Sequence, residues 1–262
     1  MYANALVVST AHIIRVIGVG FKLTYKRRKM TIYYQDDYVT LYLGDCLEQT
    51  AWLNADVLVT DPPYGQAYKS GMDRGSRTEW HEVIAGDNDT QSRDKALELW
   101  GETKAGLVFG TWKVEKPKQT RQTVIWDKTP CGFMGDLALP FGSAHEEIYC
   151  IGKVGWTGKR EASIIKAQML MSGDKNRPDH PTPKPIGLME RLIEKTVGVI
   201  ADPFAGSGAT LLAAKNLGRK VIGVELEEKY CEIIAKRLSQ VTFDFSTLIE
   251  KEKETYTQES LI

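Results

Sequence analysis

Val57-Leu58-Val59-Thr60-Asp61-Pro62-Pro63-Tyr64-Gly65 is the stretch that decides how this chain folds. A short, mostly β-branched run meets two prolines. Neither proline has an N–H to offer a ladder, and residues before proline stay extended, so a buried strand ends here and opens into a loop. Carbonyls in such a loop are left for a ligand. Asp61 adds a carboxylate, Pro62 a rigidly aimed carbonyl and Tyr64 an aromatic face. Two acceptors can hold the N–H groups of an exocyclic amine while its ring stacks on Tyr64, and the nitrogen lone pair then faces an electrophile. These three are the candidate catalytic residues. The bland alternative is a proline-rich turn after a core strand, since Asp and Pro punctuate loops of every kind.

A second stretch bears on the choice. Asp202-Pro203-Phe204-Ala205-Gly206-Ser207-Gly208 follows the apolar run from Val197 to Ala201 and precedes a helix-like run from Ala209 to Leu217. This is strand, glycine turn, helix. Gly206 and Gly208 would let backbone approach a cofactor closely, and the helix would turn its unpaired N–H groups toward it. Another strand, Lys220 to Val224, ends in Glu225, placed to accept hydrogen bonds from ribose hydroxyls. The third glycine of the dinucleotide fingerprint is missing, so a plain tight turn is the competing reading of this motif alone.

Together the two motifs resemble the S-adenosylmethionine-dependent DNA amino-methyltransferases, enzymes that methylate the exocyclic amine of adenine or cytosine. With the D-P-P-Y loop first and the F-x-G-x-G loop near the C-terminus, the chain looks like the β class, a circular permutation of the class I methyltransferase fold. The segment His180-Pro181-Thr182-Pro183-Lys184-Pro185 is similar to one that this class carries just before its glycine loop. The resemblance covers roughly Thr31 to Gln240. It implies S-adenosyl-L-methionine as cofactor, with contacts from Asp45, Thr182, Lys184, Asp202, Phe204, Gly206, Gly208 and Glu225. Asp45, in Gly44-Asp45-Cys46, would reach the cofactor's adenine amine; a turn or helix-cap aspartate is its ordinary reading.

Length and composition agree with this fold class, a doubly wound, mostly parallel α/β sheet. With 262 residues the chain can bury a sizeable core as one domain. Four scattered cysteines without C-x-x-C spacing, and four histidines without a paired spacing, give neither a disulfide framework nor a metal site. A reducing cytoplasm fits best. The 34 basic and 34 acidic residues cancel, yet from Lys153 to Lys184 seven basic residues face three acidic ones. A phosphate-facing side is thus hidden in a neutral total.

Residues 1–29 stand apart, with six basic residues and no acid. Their basic cluster follows the apolar run, the reverse of a secretory signal, and the run is too short and polar to span a membrane. An extension ahead of a start at Met30 is the favoured reading, a DNA-contacting arm the other. Residues 30–240 form the expected methyltransferase domain and 241–262 an acidic polar tail. Further strands are expected at Val39 to Leu43, Ala105 to Thr111, Gln122 to Trp126 and Glu147 to Gly152, with a helix over Lys95 to Trp100. Trp126-Asp127-Lys128 reads as the polar end of a core strand, and His145 beside Glu146 as structural.

Two regions could read double-stranded DNA. Gln66 to Arg93 follows the catalytic loop and could close over an extruded base. Residues 154–178 occupy the place of the family's target-recognition region and are short. A restriction-modification setting leaves a homodimer and a cognate restriction nuclease open as partners. The expected reaction is methyl transfer to the N6 of a flipped adenine, favoured because the family's cytosine-N4 enzymes more often carry Ser where Asp61 stands. An N4-cytosine or RNA amino-methyltransferase is the alternative within the class, and an inactive DNA-binding module the alternative outside it.

Overall fold

The computed structural model describes residues 31–66, 87–130, 138, 140–171, 174 and 177–240. At its centre lies β3 (Val57–Thr60), buried at every position. Before it come β1 (Thr31–Gln35), β2 (Val39–Leu43) and a 3-10 turn over Thr50–Asn54. After it come α1 (Gln91–Trp100), β4 (Gly106–Gly110), β5 (Gln122–Asp127), β6 (His145–Ile151), β7 (Ile164–Lys166), α2 (Ile186–Ile193), β8 (Ile200–Asp202), α3 (Ala209–Asn216), β9 (Val221–Glu225) and α4 (Glu228–Gln240).

The strands form one sheet in the order β1-β2-β9-β8-β3-β4-β6-β5-β7. From β2 to β4 every neighbour is parallel. β6 runs antiparallel between β4 and β5, β7 lies parallel to β5, and β1 closes the other edge antiparallel to β2. This is the mostly parallel, doubly wound sheet that the sequence leads one to expect.

Both faces are covered, and the two-residue period of the strands explains how. Val57, Val59, Leu107 and Phe109 pack with α2, α3 and α4, whereas Leu58 and Val108 point the other way, against Trp52 and Trp100. Those two indoles stack at 5.9 Å. Each large side chain fully buried this way contributes roughly 1.5–3 kcal/mol.

The chain leaves β3 for β4 on one side, while it leaves β8 for β9 on the other. The carboxyl ends of β3 and β8 therefore flank a topological switch point, where open α/β sheets bind ligands. Because β6 is antiparallel, its first residues rise at this same end of the sheet.

Residues 154–178 divide in two. Val154 bridges to Lys104 and Trp156 to Thr196, near the amino ends of β4 and β8 and so at the edge opposite the crevice. β7 then returns along β5. The first half of the expected recognition segment is thus sheet scaffold, and only the part beyond Lys166 reaches the crevice side. The strand expected from Val197 begins at Ile200, because Val197 N–H bonds Gly155 and the Val199 carbonyl serves Asp56 and Val57. Residues 1–30, 67–86 and 241–262 lie outside the described residues, and with them the N-terminal extension, most of the Gln66 to Arg93 segment and the acidic tail.

Candidate active site

A cleft of about 520 Å³ opens at the switch point, within the size range of small-molecule sites. Asp61, Pro62, Tyr64, Asp45, Thr182, Lys184, Asp202, Phe204, Gly206 and Glu225 all line it. Gly208 does not. Its φ is +81°, and a Cβ there would lie 2.9 Å from Ile234 of α4. Its missing side chain serves the packing of α3 on α4, not the close backbone approach to a cofactor expected for it. Gly206 differs: its φ is +51°, and a Cβ would stand 3.2 Å from the His180 imidazole beside the cleft.

The wall formed by β8, β9 and the glycine loop is held mainly by backbone N–H groups bonded to carboxylates. Glu225 accepts the N–H of Gly206 at 2.8 Å through Oε2 and that of Glu227 at 2.8 Å through Oε1. A carboxylate has about four lone-pair sites, so two acceptor positions are left for hydroxyls. Burial pushes Glu225 up to about 7, against the pull of those two N–H groups. Asp202 accepts Thr60 Oγ1 at 2.7 Å and Phe204 N–H at 3.2 Å, which ties the tops of β3 and β8 together; burial raises it to about 6. Asp45 is exposed and caps its own turn by accepting Leu47 N–H at 2.9 Å. Arg237 of α4 donates to the Ser207 carbonyl and braces the glycine loop from outside.

Around the Asp61 loop the contacts are charged and come from afar in the chain. Asp61 Oδ1 accepts the Tyr64 hydroxyl at 2.8 Å, and Asp61 Oδ2 takes Lys184 Nζ at 2.5 Å. The Tyr64 hydroxyl also lies 3.0 Å from Glu146 Oε2, and Lys184 Nζ lies 3.4 Å from that same oxygen. Lys128 pairs with the other oxygen of Glu146. Burial raises the Asp61 carboxyl even beside Lys184. For Lys184 burial works against the charge, yet Asp61 and Glu146 outweigh it and hold the ammonium above its ordinary pKa. Glu146 is also opposed by burial, but Lys184 and Lys128 keep it below the usual carboxylate value. Buried ion pairs add little stability over apolar substitutes, so four charges gathered here point to chemistry.

Lys184, expected at the cofactor, thus turns its ammonium to Asp61. Lys128 reads in the sequence as the polar end of a core strand and Glu146 only as the neighbour of a structural His145, and only the reversed direction of β6 brings Glu146 to this edge. Asp87 was also missed. Buried, it accepts the N–H of Gly65 at 2.8 Å and anchors the end of the Asp61 to Gly65 loop. Gly65 has φ +73°, with Asp89 backbone 2.8 Å from any added Cβ, so the turn requires glycine. No cluster of metal-binding side chains occurs among the described residues, and none of their helices is long and apolar enough to cross a membrane.

Known proteins resemble this chain in sequence and in fold. The DNA methylase model for N6 and N4 amino-methyltransferases matches residues 55–236. The Type II methyltransferase M2.MboI of Moraxella bovis is 36% identical over 245 residues, spanning 79% of this chain and 90% of its own. M.HinfI of Haemophilus influenzae is 26% identical over 252 residues, 77% of this chain and 68% of its own. Among solved structures, the PvuII cytosine-N4-specific DNA methyltransferase superposes with a TM-score of 0.56 at 15% identity, over 82% of this chain and 90% of that one. The M1.HpyAVI complex with SAM gives 0.52 at 20% identity, over 76% and 99%. At such identities the structures speak for the fold. The family match and the sequence relatives say more: this chain belongs to the N6/N4 DNA methylase family and is an S-adenosylmethionine-dependent DNA amino-methyltransferase.

Proposed function

We propose that the chain methylates the N6 amine of an adenine flipped out of double-stranded DNA at a specific site. The observation that carries this reading is the meeting, in one cleft, of the Asp61 to Tyr64 loop on β3 with the Gly206 and Glu225 wall on β8 and β9. The wall suits the cofactor. Glu225 keeps acceptor positions toward the cleft, Phe204 offers an apolar ring, and Gly206 leaves backbone unshielded beside His180.

Bound there, S-adenosylmethionine supplies an electrophilic methyl group. The rest of the task is positioning, for which effective molarities can lower a barrier by about 7 kcal/mol or more. Asp61 and the Pro62 carbonyl would hold the two amine hydrogens and Tyr64 would stack on the ring. Asp61 would also stabilise the positive charge that develops on nitrogen as the methyl arrives. An amine already carries a lone pair, so no covalent enzyme intermediate is needed. The described cysteines agree: burial raises Cys46 and Cys231 to about 12 and Cys150 to about 11, so none is a ready nucleophile.

Adenine is favoured over cytosine by Asp61 at the head of its motif. The relatives' Type II names support a site-specific modification enzyme with a nuclease counterpart. A cytoplasmic location is part of the same proposal and rests on the scattered cysteines, which suit a reducing compartment. The test is mass spectrometry of nucleosides from DNA that lacks adenine methylation, treated with the purified chain and cofactor. N6-methyladenine is the expected product; N4-methylcytosine would replace the adenine reading.

A further inference from the structure

We propose that Glu146 is a positioning residue for the transfer, receiving the Lys184 ammonium when the target amine takes the place at Asp61 Oδ2 that Lys184 holds in the structure. This rests on the amine-methylation reading above and specifies how the catalytic carboxylate becomes available.

Both oxygens of Asp61 are engaged, Oδ1 by Tyr64 at 2.8 Å and Oδ2 by Lys184 at 2.5 Å. An incoming amine also needs one of them. Each oxygen keeps a second lone pair, so what makes Lys184 the partner that gives way is its charge, which would lie beside a nitrogen turning positive. Its side chain is only 6% exposed, which denies the ammonium a retreat into water. An isolated buried charge is strongly disfavoured, and it needs a second carboxylate. Glu146 Oε2 is that carboxylate, 3.4 Å from the same nitrogen. Less than one ångström of approach turns this into a full hydrogen-bonded pair.

Glu146 is suited to receive it. It sits near the start of β6, paired with Trp126 across the ladder, so the sheet fixes its backbone. Lys128 on its other oxygen keeps it ionised. The exchange also helps the reaction. Positive charge grows on the amine nitrogen during methyl capture, and an ammonium on the same Asp61 oxygen would repel it and compete for the carboxylate. Moving Lys184 to Glu146 leaves the negative charge of Asp61 to the amine. Without Glu146, Lys184 has Asp61 alone, and the amine must share its carboxylate with a cation.

The experiment compares wild type, Glu146→Gln and Glu146→Gln/Lys184→Met as full chains. Transfer is measured at saturating cofactor and saturating genomic DNA free of adenine methylation, alongside melting temperature and cofactor affinity by calorimetry. Glu146→Gln is expected to lose at least tenfold in rate, with cofactor affinity within twofold of wild type. Removing the stranded ammonium should then recover at least threefold, so the double variant outpaces the single one. A purely structural Glu146 predicts the reverse, with two losses accumulating. A single variant within twofold of wild type, or a double variant no faster than the single, would overturn the proposal. Should Glu146→Gln melt early because Lys128 loses its partner, Lys128→Met is added to both variants and the same two rates decide. An N4-methylcytosine product from wild type would overturn the adenine reading alone, since either base presents an exocyclic amine.

Discussion

The two walls of the cleft are built on different plans. Around the glycine loop and Glu225, the bonds that shape the wall join backbone to side chains 2 to 30 residues away. Around the Asp61 loop, Asp61 meets Lys184 at a separation of 123 residues and Tyr64 meets Glu146 at 82. One wall is a locally determined cradle, and the other a charge cluster assembled by the sheet. A cradle of backbone N–H groups is preformed and specific to shape, whereas paired charges can trade partners. On the reading proposed above, that division suits a preformed cradle for the cofactor beside charges that rearrange around the arriving base.

Breaking the charged wall should have the largest effect. Asp61→Ala is expected to reduce methyl transfer by about a thousandfold, the upper end of the range for losing one group that stabilises transition-state charge, while cofactor affinity stays within a few-fold. Labelled cofactor and unmethylated DNA suffice to measure it. Substantial turnover by the variant would remove Asp61 from the role given it. Damage to the cradle should read out in binding instead. Glu225→Ala is expected to weaken cofactor affinity by roughly 1.5–3 kcal/mol, the range for hydrogen bonds to a charged acceptor, and calorimetry showing no change would leave Glu225 a loop brace only.

Protonation sharpens the same contrast. Burial lifts Glu225 to about 7, so near neutrality the free protein carries a mixture of protonated and ionised forms. Ribose hydroxyls donate to the ionised form. Cofactor affinity should therefore rise as pH climbs through 7, by up to about tenfold between pH 6 and 8 given one titrating group, and Glu225→Gln should flatten the curve. The effect on folding has the opposite sense: a carboxyl whose folded pKa is raised adds stability below its unfolded value of 4.5, and that contribution is lost as pH passes 7. A wild-type affinity that falls with pH would contradict the assignment.

The smallest effect is expected at the seam between the walls. Thr60→Val removes the 2.7 Å bond from β3 to Asp202, but Phe204 N–H and Thr210 still hold that carboxylate. A cost of about 1 kcal/mol follows, the low end for a buried acceptor that loses one partner. Urea unfolding measures it. A loss several times larger would mean that the seam, rather than either wall, keeps the crevice in shape.

What the sequence determined by itself was whatever depends on near neighbours. Two prolines after an apolar run end a strand wherever it lies, so Asp61, Pro62 and Tyr64 could be placed on a loop at a strand's end. Gly206 and Glu225 were legible for the same reason, one strand and helix apart. Tertiary structure alone decided what depends on direction and distance. Nothing in His145-Glu146-Glu147 says that β6 runs antiparallel, yet that reversal carries Glu146 to the catalytic edge, where it meets Lys184 and Lys128. Gly208 reads as a second cofactor glycine until α4 is seen packed on it, and Val154 as recognition loop until it is found at the far edge of the sheet. Local rules act through φ and ψ over a few residues. Charges find their partners through the sheet, whose strand order and direction no short stretch of sequence contains.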